Sequence, residues 1–142
     1  MTRTIIATLL LAPAVLAPTA LAADLHPIAQ EVSGKLPDAK SPFLLIVNFT
    51  TTDKAAAGEL IEAFKEPVVK TRKEPGNLGY VLSQDAADPT KLMVHEQWKS
   101  LDALDSHLKQ PYLAELLAAL GPVLAEPPAL SVHVPAAEPK KD

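Results

Sequence analysis

The stretch Phe43-Leu44-Leu45-Ile46-Val47-Asn48-Phe49-Thr50-Thr51 most constrains the fold. Its β-branched and aromatic residues suit a strand. Alternation puts Phe43, Leu45, Val47 and Phe49 on one face and Leu44, Ile46, Asn48 and Thr50 on the other. Both faces are mostly apolar, so both need a cover.

The rest of the chain supplies one such cover. Asp53 can cap a helix running to about Lys73, with Ala57, Leu60, Ile61, Phe64 and Val68 as its buried stripe. Pro67 lies inside that pattern and predicts a kink, and Pro75-Gly76 ends it. Leu78–Gln84 and Leu92–Lys99 read as strands joined by a turn rich in Asp and Pro. A helix follows from Ser100 to about Lys109, with Leu101, Leu104 and Leu108 inward. Pro111 separates it from a second helical piece, Tyr112–Leu120, and Ala129–Val134 is the last strand. The order β-α-β-β-α-β is the ferredoxin-like plan, an α+β fold with helices on one face of an antiparallel sheet. The other face stays bare, and a second copy of the chain is the simplest cover. A homodimer, sheet against sheet, is the expectation.

Before this domain stand a charged start at Arg3, an apolar run from Ile5 to Leu16, and Ala20-Leu21-Ala22, the pattern of a secretory signal peptide over residues 1–22. The run is short and broken by Pro13 and Pro18, a poor membrane anchor. Export to the periplasm or medium as a soluble protein is expected. The remaining divisions are an N-terminal extension and linker at 23–41, the domain at 42–134, and a polar, disordered tail at 135–142. In the extension, Asp24 can cap a short helix carrying Leu25, Ile28, Val32 and Leu36. Taking Arg3 from the 13 basic residues leaves 12 against 17 acidic ones, a net charge of −5 that disfavours nucleic acid. The chain has no cysteine, so no disulfide supports its small core.

Glu74-Pro75-Gly76-Asn77-Leu78-Gly79-Tyr80, Glu96-Gln97-Trp98, and Ser100 through His107-Leu108 with Pro111 resemble the antibiotic biosynthesis monooxygenase superfamily. The nearest branch resembles small proteins described as quinol monooxygenases. The likeness spans roughly residues 42 to 134 and implies a dimeric α+β barrel. It also implies, as one activity among several in the superfamily, oxygenation of a quinol or other small phenolic without a cofactor. That branch often carries Pro-His where this chain has Pro111-Tyr112. Haem-degrading relatives use an asparagine, a tryptophan and an axial histidine. Asn48 matches the first, but His107 and Leu117 stand at the other two places, so haem is not implied.

Cofactor-free oxygenation needs a base, donors for the substrate anion and an apolar enclosure. His107, one turn after Leu104, is the candidate base, and Asn48 the candidate holder of a substrate oxygen, the two sharing a hollow on the helical side. Trp98 and Tyr80 are expected to wall it, Tyr80 alternating with Leu78 and Leu82. Tyr112 would stand at its mouth, and His95 is a further contact if its face lines the cavity. Glu96 reads as a paired charge that orients an interface. No metal or flavin motif is needed, and His26, His95, His107 and His133 lack close ligand spacing. Alternatives are a non-catalytic dimeric small-molecule binder or scaffold of the cell envelope, and an isomerase. The isomerase would want a more polar cavity.

Overall fold

The computed structural model describes residues 24–136. The expected signal peptide and the end of the tail lie outside them. Helix α1 (Pro27–Ser33) precedes strand β1 (Phe43–Thr50), helix α2 (Lys54–Thr71), strands β2 (Asn77–Gln84) and β3 (Lys91–Trp98), helices α3 (Leu101–Leu108) and α4 (Pro111–Leu120), and strand β4 (Ala129–His133). The sheet is antiparallel throughout, in the order β2-β3-β1-β4. This is the ferredoxin-like α+β arrangement, with the two-faced strand β1 in its interior, as its composition requires.

Register decides what each face carries. Phe43 pairs with Trp98, Leu45 with Glu96, Val47 with Val94 and Phe49 with Leu92. These side chains point to the helices, and all but the half-buried Val47 are buried. Leu44, Ile46 and Asn48 pair with Gln97, His95 and Met93 on the outer face. There Leu78 and Val81 are 57% and 44% exposed.

Local chemistry sets the boundaries. The Asp53 carboxylate accepts the Ala56 N–H at 2.8 Å and starts α2 as expected. The expected kink at Pro67 does not end the helix; α2 continues to Thr71 with Pro67 buried. In the extension the cap is His26 rather than Asp24, its Nδ1 accepting the Ile28 N–H at 3.3 Å. The alternation of Leu78 with Tyr80 also fails. A β-bulge between Asn77 and Gly79 sets Leu78 outside the regular pairing, in an outer-face depression with Leu44 and Gln97, while Tyr80 points inward opposite Glu96.

Glu74 to Asn77 forms the turn from α2 into β2. The Asn77 N–H reaches the Glu74 carbonyl at 3.2 Å, and Gly76 has φ of 92°. Pro followed by a positive-φ Gly is the type II signature. A Cβ at Gly76 would lie 2.7 Å from the Ala103 Cβ. Gly76→Ala therefore combines backbone strain with a clash, and is expected to lower unfolding free energy by roughly 2–4 kcal/mol in urea titrations. A loss below about 0.5 kcal/mol would show that the turn is not constrained in this way.

Candidate functional site

Between the sheet and the helices lies a cavity of about 400 Å³. Its body is apolar, walled by Phe49 and Phe64 and by leucines of α4. Among the described residues the polar side chains lining it are Tyr80, Glu96 and His107, and no lysine or arginine does. Such a space suits a small, uncharged, mostly apolar ligand with one polar end.

His107 is placed by three local features. Ser100 caps α3, its Oγ accepting the Ala103 N–H at 3.3 Å. The inward stripe of α3 carries Leu104 and Leu108 with His107, which is 1% exposed. Pro111 then starts a new helix, bringing Tyr112 back over the imidazole. Trp98, Tyr80 and Tyr112 surround that ring, with centroids 4.7, 5.8 and 6.3 Å from it.

Glu74 completes the group. Its Oε2 lies 2.9 Å from His107 Nδ1, and its Oε1 accepts the Tyr112 hydroxyl. Thr71 Oγ1 lies 3.1 Å from the same hydroxyl. A carboxylate accepts at both oxygens, so Nδ1 carries the proton and Nε2 is left as the lone-pair nitrogen of a ring that lines the cavity. Burial pushes the imidazole below its ordinary pKa, against the opposing pull of Glu74. His107 is thus neutral at neutral pH and able to accept a proton.

Glu96 departs from expectation. It is no paired charge at an interface; it is buried on the helical side and lines the cavity. The Trp98 Nε1–H donates to its Oε2 at 2.9 Å, and among the described residues no cation is within ion-pair distance. Burial raises its pKa to about 7, with the Trp98 bond pulling the other way. Burial and the nearby Glu96 also hold the Tyr80 phenol far above its ordinary range. Burial and the bond to Glu74 raise Tyr112 likewise.

The structure brings together His107, Trp98, Tyr80 and Tyr112, but leaves Asn48 and His95 elsewhere. Of the four, only Tyr80 and His107 line the cavity. Trp98, expected as a wall, is buried behind the imidazole, and Tyr112, expected at the mouth, borders a separate surface depression beside Lys70. Asn48 is exposed on the outer face, beside Ser83, Lys91 and Met93. The expectation that it shares a hollow with His107 is overturned by the pleat, which gives consecutive faces of β1 to opposite sides of the sheet. His95 is on that outer face too, and its Nε2 is buried with no hydrogen-bond partner among the described residues. Sequence reasoning missed Glu74 as a site residue and misread Glu96. The signal for Glu96 was an acid alternating with Leu92, Val94 and Trp98 on one strand face. Glu74 heads the motif that carries the family resemblance, but nothing there pointed to its partners, which lie 33 and 38 residues away. Among the described residues no group of three or more His, Asp or Glu is arranged to hold a metal ion.

The antibiotic biosynthesis monooxygenase profile matches residues 42–119. The chain belongs to that family. Two solved family-like structures share its fold. A Mycobacterium tuberculosis protein is 29% identical with a TM-score of 0.63, over 70% of this chain and 100% of that one. A candidate antibiotic biosynthesis monooxygenase of Caulobacter crescentus is 26% identical with a TM-score of 0.64, over 71% of this chain and 94% of that one. An uncharacterised protein of Synechocystis sp. is 30% identical over 74 residues, 52% of this chain. The match spans about half of that curated relative, 48% of its length. In this family member the three polar side chains of the cavity, Tyr80, Glu96 and His107, all lie within the matched segment.

The raised pKa of Glu96 has a consequence for stability. A carboxyl that binds its proton more tightly when folded stabilises fully below its unfolded pKa, near 4.5, and loses that contribution as pH rises through about 7. The full loss is roughly 3 kcal/mol. His107, with a depressed pKa, acts in the opposite sense, losing stability as pH falls below its ordinary value. Comparing Glu96→Gln with the wild type cancels that second contribution. Urea titrations should find the variant more stable by up to roughly 3 kcal/mol at pH 8 and little different at pH 4.5. A pH-independent difference would contradict a protonated Glu96.

Proposed function

We propose that the chain is a cofactor-independent monooxygenase acting on a quinol or other small phenolic. The observation that supports this best is the apolar cavity with His107 at its polar end, the ring anchored by Glu74 through Nδ1. His107 Nε2 takes the phenolic proton, and Glu74 stabilises the imidazolium that forms. Glu96, in its protonated form, donates to the developing oxyanion, the role first expected of Asn48. The electron-rich anion reduces oxygen directly. For a hydroquinone, one atom of O2 enters the ring and the other leaves as water, so hydroquinone plus O2 yields hydroxyquinone plus water. Tyr80 lines the cavity beside the base, and Trp98 packs behind the imidazole and supports it.

Oxygen uptake with a panel of alkylated hydroquinones under metal-free conditions tests this. His107→Ala should lower kcat by about 100-fold or more. Equal uptake by wild type and variant would end the assignment. A second reading, a non-catalytic binder in the cell envelope, is favoured by the small number of polar groups in the cavity. It would be supported by quenching of the single tryptophan on ligand addition with no oxygen consumed.

Export through residues 1–22 remains part of this proposal, as does a homodimer. Leu44, Ile46, Val81 and Met93 share the outer face, with Leu78 added by the bulge. A second copy laid on them removes that apolar surface from water. Light scattering at micromolar concentration should give the mass of two chains; a monomer mass would count against the pairing.

A further inference from the structure

Part of the cavity wall lies on the N-terminal side of the matched family segment. The family match begins at residue 42, yet Ile28 of α1 lines the cavity together with Leu108 of α3. The whole of the Mycobacterium tuberculosis protein is matched by 70% of this chain, so part of this chain has no counterpart there.

The extension is fastened rather than merely adjacent. Ala29 and Val32 are 0% exposed. The His26 N–H donates to the Asp105 carboxylate of α3 at 2.8 Å, and Lys109 Nζ donates to the Asp24 carbonyl at 2.8 Å. Beyond the helix, the Leu101 N–H donates to the Ala39 carbonyl at 2.8 Å. These contacts hold the segment at both ends against the one helix that carries His107. Ile28 is β-branched, with few rotamers, and so presents a fixed surface to a ligand.

We propose that α1 is a wall added in this chain to the family's cavity, and that Ile28 is a specificity-determining residue limiting the bulk of the apolar substituent a phenolic ligand can carry. This rests on reading the cavity as a site for neutral phenols. The side chains fit that ligand class. Its hydroxyl has His107 and Glu96 to meet. An anionic group would meet Glu96 with no lysine or arginine among the described residues lining the cavity to offset it.

The test needs no turnover. Trp98 is the single tryptophan and lies against His107, so its fluorescence reports occupation of the polar end. The intact wild type, Ile28→Ala and Ile28→Phe are titrated with 4-alkylphenols from methyl to hexyl. Wild-type affinity should rise with chain length and then fall at a cut-off. Ile28→Ala should move that cut-off to longer chains and tighten the first excluded phenol about tenfold, and Ile28→Phe should move it to shorter ones. Ile28→Val, which removes one methylene, should shift it the same way as Ala by less, and serves if thermal melts show Ala or Phe unfolded. An identical cut-off in all the folded proteins would overturn the inference and leave the phenolic reading standing. Absence of binding to the wild type across the series would overturn that reading, and the inference with it.

Discussion

A hydrogen bond between Glu74 and His107 holds the polar end of this molecule together. It joins a turn after α2 to the last turn of α3, across 33 residues of sequence. Without it the imidazole would be buried with an unpartnered N–H, which costs about 1–3 kcal/mol. Several features of the chain converge on it. Gly76 lets the turn close against Ala103 of α3. The Ser100 cap starts that helix at the position from which His107 faces inward. The break at Pro111 returns Tyr112 to the second Glu74 oxygen. Trp98 and Tyr80 then pack against a ring that is already oriented.

The two carboxyl groups near this ring live in different surroundings. Glu74 accepts from both a histidine and a tyrosine, as an ionised carboxylate does. Glu96 has one indole donor and is buried in a mostly apolar cavity, and burial raises its pKa to about 7. Hydrogen bonding makes Glu74 the group that orients the imidazole, and burial makes Glu96 the one able to hold a proton, the division of labour on which acid–base sites commonly rest. The cavity that results carries no net charge near neutrality on its own lining residues, apart from the titrating Glu96.

Much of the architecture was legible because it depends on short-range chemistry. Alternation in β1 and β3, the Asp53 cap, the helix start at Ser100, and the inward stripe of α3 are properties of neighbouring residues. The inward position of His107 followed from the same helical spacing. Which sheet face meets the helices was not legible from β1, since both of its faces are apolar; that ambiguity misplaced Asn48. Register with β3 resolves it, because Glu96 and Trp98 stand opposite Leu45 and Phe43. The pairing of Glu74 with His107 and Tyr112 was out of reach for another reason. It is made by tertiary packing between segments that carry no mutual sequence pattern.

The bulge at Leu78 bears on how copies of the chain can meet. β2 is an edge strand, and a long regular edge with free N–H and C=O groups is a template on which another strand can add. An extra residue interrupts that row and coils the strand locally, so β-sheet extension from chain to chain is obstructed there. The same residue places an isobutyl group on the broad outer surface. One insertion thus discourages open-ended stacking along the hydrogen-bond direction while enriching the surface on which a closed, finite assembly can form.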